Sequence, residues 1–194
     1  MVRIDRVMTR GGDGGETSLG DGTRLVKDAA RIIVIGEVDE ANAAIGLLRL
    51  ETRGRPTIDA TSDATIDATL ARIQNDLFDL GADLCVPGTG SDRLRLTDAP
   101  LLLLEADAAA LNAPLPPLTS FVLPGGTPAA ARAHMARTIA RRAERALVGL
   151  SRAEAVNPNL LRYLNRLSDY LFILSRALNA PTGADVMWRP GGGR

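Results

Sequence analysis

The 194-residue chain has one cysteine, one histidine and few aromatic residues: three phenylalanines, two tyrosines and one tryptophan. A single cysteine, Cys85, excludes an internal disulfide and any zinc site built from cysteines. A single histidine, His134, excludes the paired Glu-x-x-His motifs of a di-iron carboxylate bundle. Lys plus Arg equal Asp plus Glu at 23 each, so no global field draws the chain to nucleic acid or to an anionic membrane. No apolar run approaches the ~20 residues that span a bilayer, and MVRIDRVMTR carries no apolar signal core. A cytoplasmic protein that binds neither membrane nor nucleic acid is expected. With 45% hydrophobic residues, the chain has material for one sizeable core and a single domain over residues 1–194.

What is present is helical periodicity. Ile35, Val38, Ile45 and Leu48 share one face of a helix expected from Ala29 to Glu51, with Asp39, Asn42 and Gly46 on a neighbouring stripe. Leu70, Ile73, Leu77, Leu80 and Leu84 step by three and four along a second helix, from about Ala64 to Cys85. The duplicated TIDAT of residues 57–69 reads as a loop entering that helix. Thr97 and Asp98 cap a shorter helix through Leu101 to Asn112, which ends before APLPPL. Two more helices follow, from Pro128 to Leu150 and from Pro158 to Ala180. The last carries Leu160, Leu164, Leu167, Leu171, Leu174 and Leu178 on its seam. Little strand signal remains, so the fold class is all-α, a five-helix bundle. Residues 1–28 form a glycine-rich segment before it, and 181–194 a tail after it.

Three stretches carry candidate chemistry. TRGGDGGETSLGDG, residues 9–22, packs six of the nineteen glycines into fourteen positions. A run this dense either stays loose or is ordered by something it closes around, because glycine loses the most backbone freedom on folding. Its amides suit phosphate oxygens, but no Gly-Lys-Ser/Thr follows as in a Walker loop. In ARAHMARTIARRAERA, residues 131–146, Arg137, Arg141 and Arg145 recur every four residues, with His134 and Glu144 on the same side. Such a row is either a solvated face or a grip for an anion, and Arg141 with Arg142 in one turn suits a polyphosphate. In RYLNRLSDYLFILSR, residues 162–176, Asn165, Asp169, Phe172 and Arg176 run beside the leucine seam, and polar groups so placed need partners. TSFVLPGGTP adds Phe121 on a loop, either plugging the bundle end or offered to a ligand.

TRGGDGGETSL followed by Lys27, then GEVDEANAAIG, FVLPGG, ARTIARRAER and YLNRLSDYLF, in that order, resemble the PduO-type ATP:cob(I)alamin adenosyltransferases. The resemblance covers most of the chain and weakens in 52–69, 87–118 and after Asn179. It implies a homotrimer with ATP and the corrinoid bound between subunits. It assigns ATP contacts to Thr9, Arg10, Gly11, Gly12, Asp13, Gly15, Thr17, Ser18 and Lys27 of one subunit. On the adjoining subunit it assigns them to Arg141, Arg142, Glu144, Arg145 and Asn165, with Asn165 near magnesium. It implies an intersubunit ion pair of Asp39 and Arg137 on the corrinoid side, and Phe121 as the residue that excludes the lower axial ligand from cobalt. The implied reaction transfers the 5′-deoxyadenosyl group of ATP to cob(I)alamin and releases triphosphate. A corrinoid reductase and an adenosylcobalamin-dependent enzyme are the implied partners. The alternative is a non-catalytic trimer that binds ATP or cobalamin as a sensor or cofactor chaperone. No catalytic role is expected for Cys85 or His134.

Overall fold

The computed structural model describes Asp5 and residues 8–53, 60–88, 90 and 93–192, with side chains 60–64 excepted. Five helices dominate: α1 (Ala30–Thr52), α2 (Ala60–Leu84), α3 (Asp98–Asn112), α4 (Pro128–Ser151) and α5 (Pro158–Asn179). Their contacts run α2 to α1, α1 to α4, α4 to α5 and α5 to α3, so α4 sits in the middle with α1 and α5 on either side. One apolar core joins all five.

The expected seams form that core. Leu70, Ile73, Leu77, Leu80 and Leu84 of α2, and Leu160, Leu164, Leu167, Leu171 and Leu174 of α5, are all buried. Full burial of each such side chain stabilises by about 1.5 to 3 kcal/mol. The core-facing side of α4 is built from Ala130, Ala133, Ala136, Ala140 and Ala143, all with no exposure. Side chains this small let neighbouring helix backbones approach closely. Both α4 and α5 start with proline at the first turn behind a side-chain cap. The Thr127 hydroxyl accepts from the Ala130 amide, and the Asn157 side chain accepts from the Asn159 amide. Thr97 occupies the cap position of α3 without a side-chain cap bond.

The reading of residues 57–69 as a loop is corrected for its described part, because α2 is already helical from Ala60; residues 57–59 lie outside the described residues. Ile66 extends the leucine seam by one step and is buried. Asp67 accepts from the Arg49 guanidinium at 2.8 and 3.0 Å, which ties the added turns to α1 and holds the Asp67 carboxyl below its usual range. Further along the same interface, Asn42 donates to the Gln74 carbonyl and Gln74 donates to the Asn42 carbonyl. Gly46 leaves room there: a Cβ would stand 3.3 Å from Gln74 Nε2. Two members of the GEVDEANAAIG stretch therefore serve packing between α1 and α2.

Within the glycine-rich segment before the bundle lies a short β-hairpin, β1 (Glu16–Ser18) against β2 (Arg24–Val26), antiparallel with Thr17 opposite Leu25. Its tip closes through the Leu19 amide to the Thr23 carbonyl at 2.8 Å, with Gly22 at φ +90°. Leu19 is buried, and the Gly20 amide donates to the Cys85 carbonyl at 2.8 Å, pinning the tip to the end of α2. Arg31, buried near the start of α1, donates to the Leu84 carbonyl and to Glu154, so the same corner is tied to the α4–α5 connection. No helix among the described residues is long and apolar enough to cross a membrane.

Candidate functional site

The hairpin holds the first half of the candidate site. Its base is a pair of turns in which the Asp13 amide donates to Arg10 and the Gly15 amide to Gly12. Arg10 at φ +60° and Gly15 at φ +84° adopt the left-handed conformation these turns need. Arg24 clamps the hairpin from across, donating to the Gly11 carbonyl, the Ser18 hydroxyl and the Glu16 carboxylate. Lys27 is bonded through its amide to the Gly15 carbonyl, and its ammonium lies over the glycine turn: a Cβ on Gly12 would stand 3.0 Å from Nζ. Thr9, Arg10, Gly11, Gly12, Asp13, Gly15, Thr17, Ser18 and Lys27 thus belong to one hairpin unit, and all but Gly12 and Thr17 are exposed.

The second half is a cleft of about 480 Å³ on the outer face of α4 and α5, lined by Arg141, Glu144, Arg145, Val148, Gly149, Arg152 and Asn165. The Asn165 amide nitrogen donates to Glu144 at 2.9 Å, which leaves the amide oxygen as its remaining polar atom. Most arginines among the described residues are neutralised internally, for example Arg31 by Glu154, Arg49 by Asp67, Arg95 by Asp83, Arg132 by Glu51 and Arg166 by Glu105. Among the described residues Arg141, Arg145 and Arg152 have no ion pair, and Glu144 is the single acid against three guanidiniums in the cleft. That is an excess of positive charge with a concave shape.

Arg142 is not brought to this cleft. It turns to α1 and pairs with both Glu37 and Glu40, which holds its guanidinium more firmly protonated. The expectation of Arg141 and Arg142 as one fork therefore does not hold within the chain. Nor does the chain join Asp39 to Arg137. Asp39 is exposed on α1, whereas Arg137 is half-buried with an unpartnered Nε. Burial, then the charge of Arg141, makes Arg137 easier to deprotonate than an ordinary arginine. One turn earlier, His134 is buried edge-on to Phe172, with both ring nitrogens unpartnered. Burial, then Arg137, pushes its pKa down and favours the neutral ring. Burial raises the Cys85 thiol pKa, which disfavours the reactive thiolate.

Of the polar row on α5, Asn165 reaches the cleft, Asp169 pairs with Arg166, and Arg176 is buried against Asp185 and the Pro116 carbonyl. Phe121 is 75% exposed, so it does not plug the bundle end. Its ring lies 6.1 Å from that of Trp188, which sequence reasoning left unassigned in the tail. Arg152 was also missed, although it continues the row of Arg141 and Arg145 at helical spacing; it falls one residue beyond α4. Nothing local signals Trp188, because its partner is 67 residues away.

A helical bundle with a cationic cleft on α4 and α5 and a glycine hairpin at one corner is the class that this geometry defines. The family model of cobalamin adenosyltransferase matches residues 7–178. A cobalamin adenosyltransferase of Cupriavidus metallidurans is 49% identical over 96% of each chain. A corrinoid adenosyltransferase of Mycobacterium leprae is 46% identical over 98% of this chain and 99% of its own. A variant of the PduO-type ATP:corrinoid adenosyltransferase from Lactobacillus reuteri, complexed with cobalamin and ATP, superimposes with a TM-score of 0.84 at 33% identity, covering 95% of this chain and 97% of its own. The chain belongs to the cobalamin adenosyltransferase family.

Proposed function

We propose that the chain acts as an ATP:corrinoid adenosyltransferase whose cleft on α4 and α5 grips the triphosphate of ATP while the corrinoid sits toward Phe121. The observation that carries the residue roles is the set of three guanidiniums in the cleft, Arg141, Arg145 and Arg152, that have no ion pair while most other arginines among the described residues have one. Cobalt(I) attacks the 5′ carbon, the bond from carbon to the bridging oxygen breaks, and its electron pair leaves with triphosphate. No protein nucleophile is required. The chain aligns cobalt with carbon and stabilises the charge growing on the leaving oxygen, through Lys27, Arg141 and Arg145. Mixing cob(I)alamin with magnesium ATP and the protein under strong reductant tests the activity: the visible spectrum converts to that of an alkylcobalamin. An unchanged spectrum defeats the proposal.

Magnesium belongs with the triphosphate. Among the described residues no three His, Cys, Asp or Glu side chains gather as a metal site. Glu144 and the Asn165 oxygen are a donor set fitted to a magnesium ion that keeps its waters and takes its other ligands from phosphate. Bound there, the ion would supply further positive charge to the leaving oxygens.

The cleft lining contains no residue of the hairpin. A homotrimer, in which the hairpin of one copy covers the cleft of the next, gives both halves of the ATP site a use. It also lets Asp39 of one copy meet Arg137 of another, closing an ion pair that one chain leaves open. Arg142, with its two carboxylates, then holds α1 against α4 beside the nucleotide. Use of ATP and of a strongly reduced corrinoid fits the cytoplasm. It also implies a corrinoid reductase upstream and an adenosylcobalamin-dependent enzyme downstream.

The amides of Gly12 and Gly14 donate to no group of the chain among the described residues, so they are free for phosphate oxygens. Both are expected to gain protection from hydrogen exchange when magnesium ATP is added. Equal exchange with and without nucleotide removes the hairpin from the ATP site.

A further inference from the structure

The segment after α5 is built into the fold. A short 3₁₀ turn (Ala180–Thr182) and Gly183 at φ +62° reverse the chain. It then runs antiparallel to residues 120–123: the Leu123 amide donates to the Val186 carbonyl at 2.8 Å, and the Trp188 amide to the Phe121 carbonyl at 2.7 Å. The Ser120 hydroxyl donates to the Trp188 carbonyl, and the Val122–Met187 bridge completes the pairing. Phe121 and Trp188 are thereby carried on two strands of one small ribbon.

One buried side chain links this ribbon to the bundle. Asn179, with no exposure, ends α5. Its Nδ2 donates to the Gly125 carbonyl at 3.2 Å and to the Asp185 carboxylate at 2.9 Å, while its Oδ1 accepts from the Thr127 amide at 2.9 Å. Its backbone carbonyl accepts from the Ala184 amide and from the Thr182 hydroxyl. Both amide hydrogens and the amide oxygen are therefore used. The turn has closed around this group: Gly126 is at φ +95°, and a Cβ there would lie 2.3 Å from Asn179 Oδ1. Asp185, the other side of the latch, lies 3.6 Å from Arg176 Nε.

We propose that Asn179 is a positioning residue for the corrinoid side of the site: it latches the Pro124–Thr127 turn to the strap at Asp185, and so fixes the ribbon that presents Phe121. This rests on the reading of Phe121 as the residue facing cobalt. An aspartate at 179 would lose both donors and place a second carboxylate against Asp185, so only the amide serves. The latch sits at the start of α4, about 20 Å along the helix from Arg141, and acts on the corrinoid without touching the nucleotide.

Trp188 is the chain's one tryptophan, so its fluorescence reports the strap directly. In the full-length protein with cob(II)alamin and ATP bound, Asn179→Ala is expected to red-shift Trp188 emission and expose it to acrylamide. It should also deplete the electron paramagnetic resonance signal of cobalt(II) without a lower ligand, and slow turnover from cob(II)alamin by about ten- to a hundredfold. KM for ATP is expected to stay as in wild type. Asp185→Ala, which cuts the strap side of the latch together with the Arg176 pair, should shift all three readouts the same way, and decides the matter if Asn179→Ala does not fold. Unchanged Trp188 emission, or a wild-type cobalt signal in the Asn179 variant while Phe121→Ala loses it, overturns the latch. Persistence of the signal in Phe121→Ala itself overturns the reading of Phe121, and with it the purpose of the latch.

Discussion

Replacing Arg141 by alanine is expected to slow adenosyl transfer by about a hundred- to a thousandfold at saturating ATP, a loss of roughly 3 to 4 kcal/mol of transition-state stabilisation. Arg141 is the central cation of the proposed grip. It lines the cleft beside Glu144 and Arg145, it has no internal ion pair, and its charge is felt by the half-buried Arg137 one turn away. Negative charge moves onto the bridging oxygen only as the bond from carbon to oxygen breaks, so a guanidinium aimed there stabilises the transition state more than bound ATP. The deficit should therefore fall on kcat and persist at any ATP concentration, whereas a contact that only holds the phosphates would be rescued by more ATP. A rate within threefold of wild type under saturation returns the arginine row to the role of a solvated helix face. Arg142→Ala is a useful contrast. It breaks a pair with Glu37 and Glu40 that holds α1 against α4, so its first effect is expected on stability and assembly.

The bundle was legible because its signal is local. Leucines at steps of three and four, with Pro128 and Pro158 opening α4 and α5 behind a threonine and an asparagine, carry their own periodicity and punctuation. What escaped is held by long-range contacts. The strands Glu16–Ser18 and Arg24–Val26 are three residues each, too short for alternation to show, and much of their cohesion comes from the Arg24 side chain reaching Gly11, Glu16 and Ser18. The first turns of α2 look like a polar repeat until Ile66 meets the core and Asp67 meets Arg49. The site divides in the same way. The spacing of Arg141, Glu144 and Arg145 on one helix forecast a common face, and the cleft has it. That Arg142, one residue along, turns to two carboxylates of α1 depends on how the helices cross. Residues 184–188 carry no periodic signal; their pairing with residues 120–123 and the bonds of Ala184 and Asp185 to Asn179 give them a shape.

The second large effect is expected from Phe121→Ala, and it depends on the starting oxidation state. In water, cobalt(II) of cobalamin keeps a lower axial ligand, which raises electron density on the metal and opposes reduction to cobalt(I); axial ligation is a main lever on a macrocycle's potential. A bulky apolar ring against that face leaves no room for the displaced base or for water. Phe121 is 75% exposed in the single chain, with Trp188 alongside at 6.1 Å, so its ring is offered to something other than the chain's own core. Cutting it back to alanine opens a space that a ligand can enter, while the backbone bonds from Leu123 to Val186 and from Trp188 to Phe121 do not need the ring. The variant should therefore fold, assemble and bind ATP. Assayed from cob(II)alamin with a mild reductant, it should lose most of its activity. Supplied with preformed cob(I)alamin, it should lose much less, because the reduction that we propose the ring assists has already occurred and cobalt(I) does not hold the lower ligand. Equal losses in the two assays would mean that Phe121 orients the corrinoid without governing its ligation. No loss in either would separate the ribbon from the cobalt face and send the search for that face to another surface of the bundle.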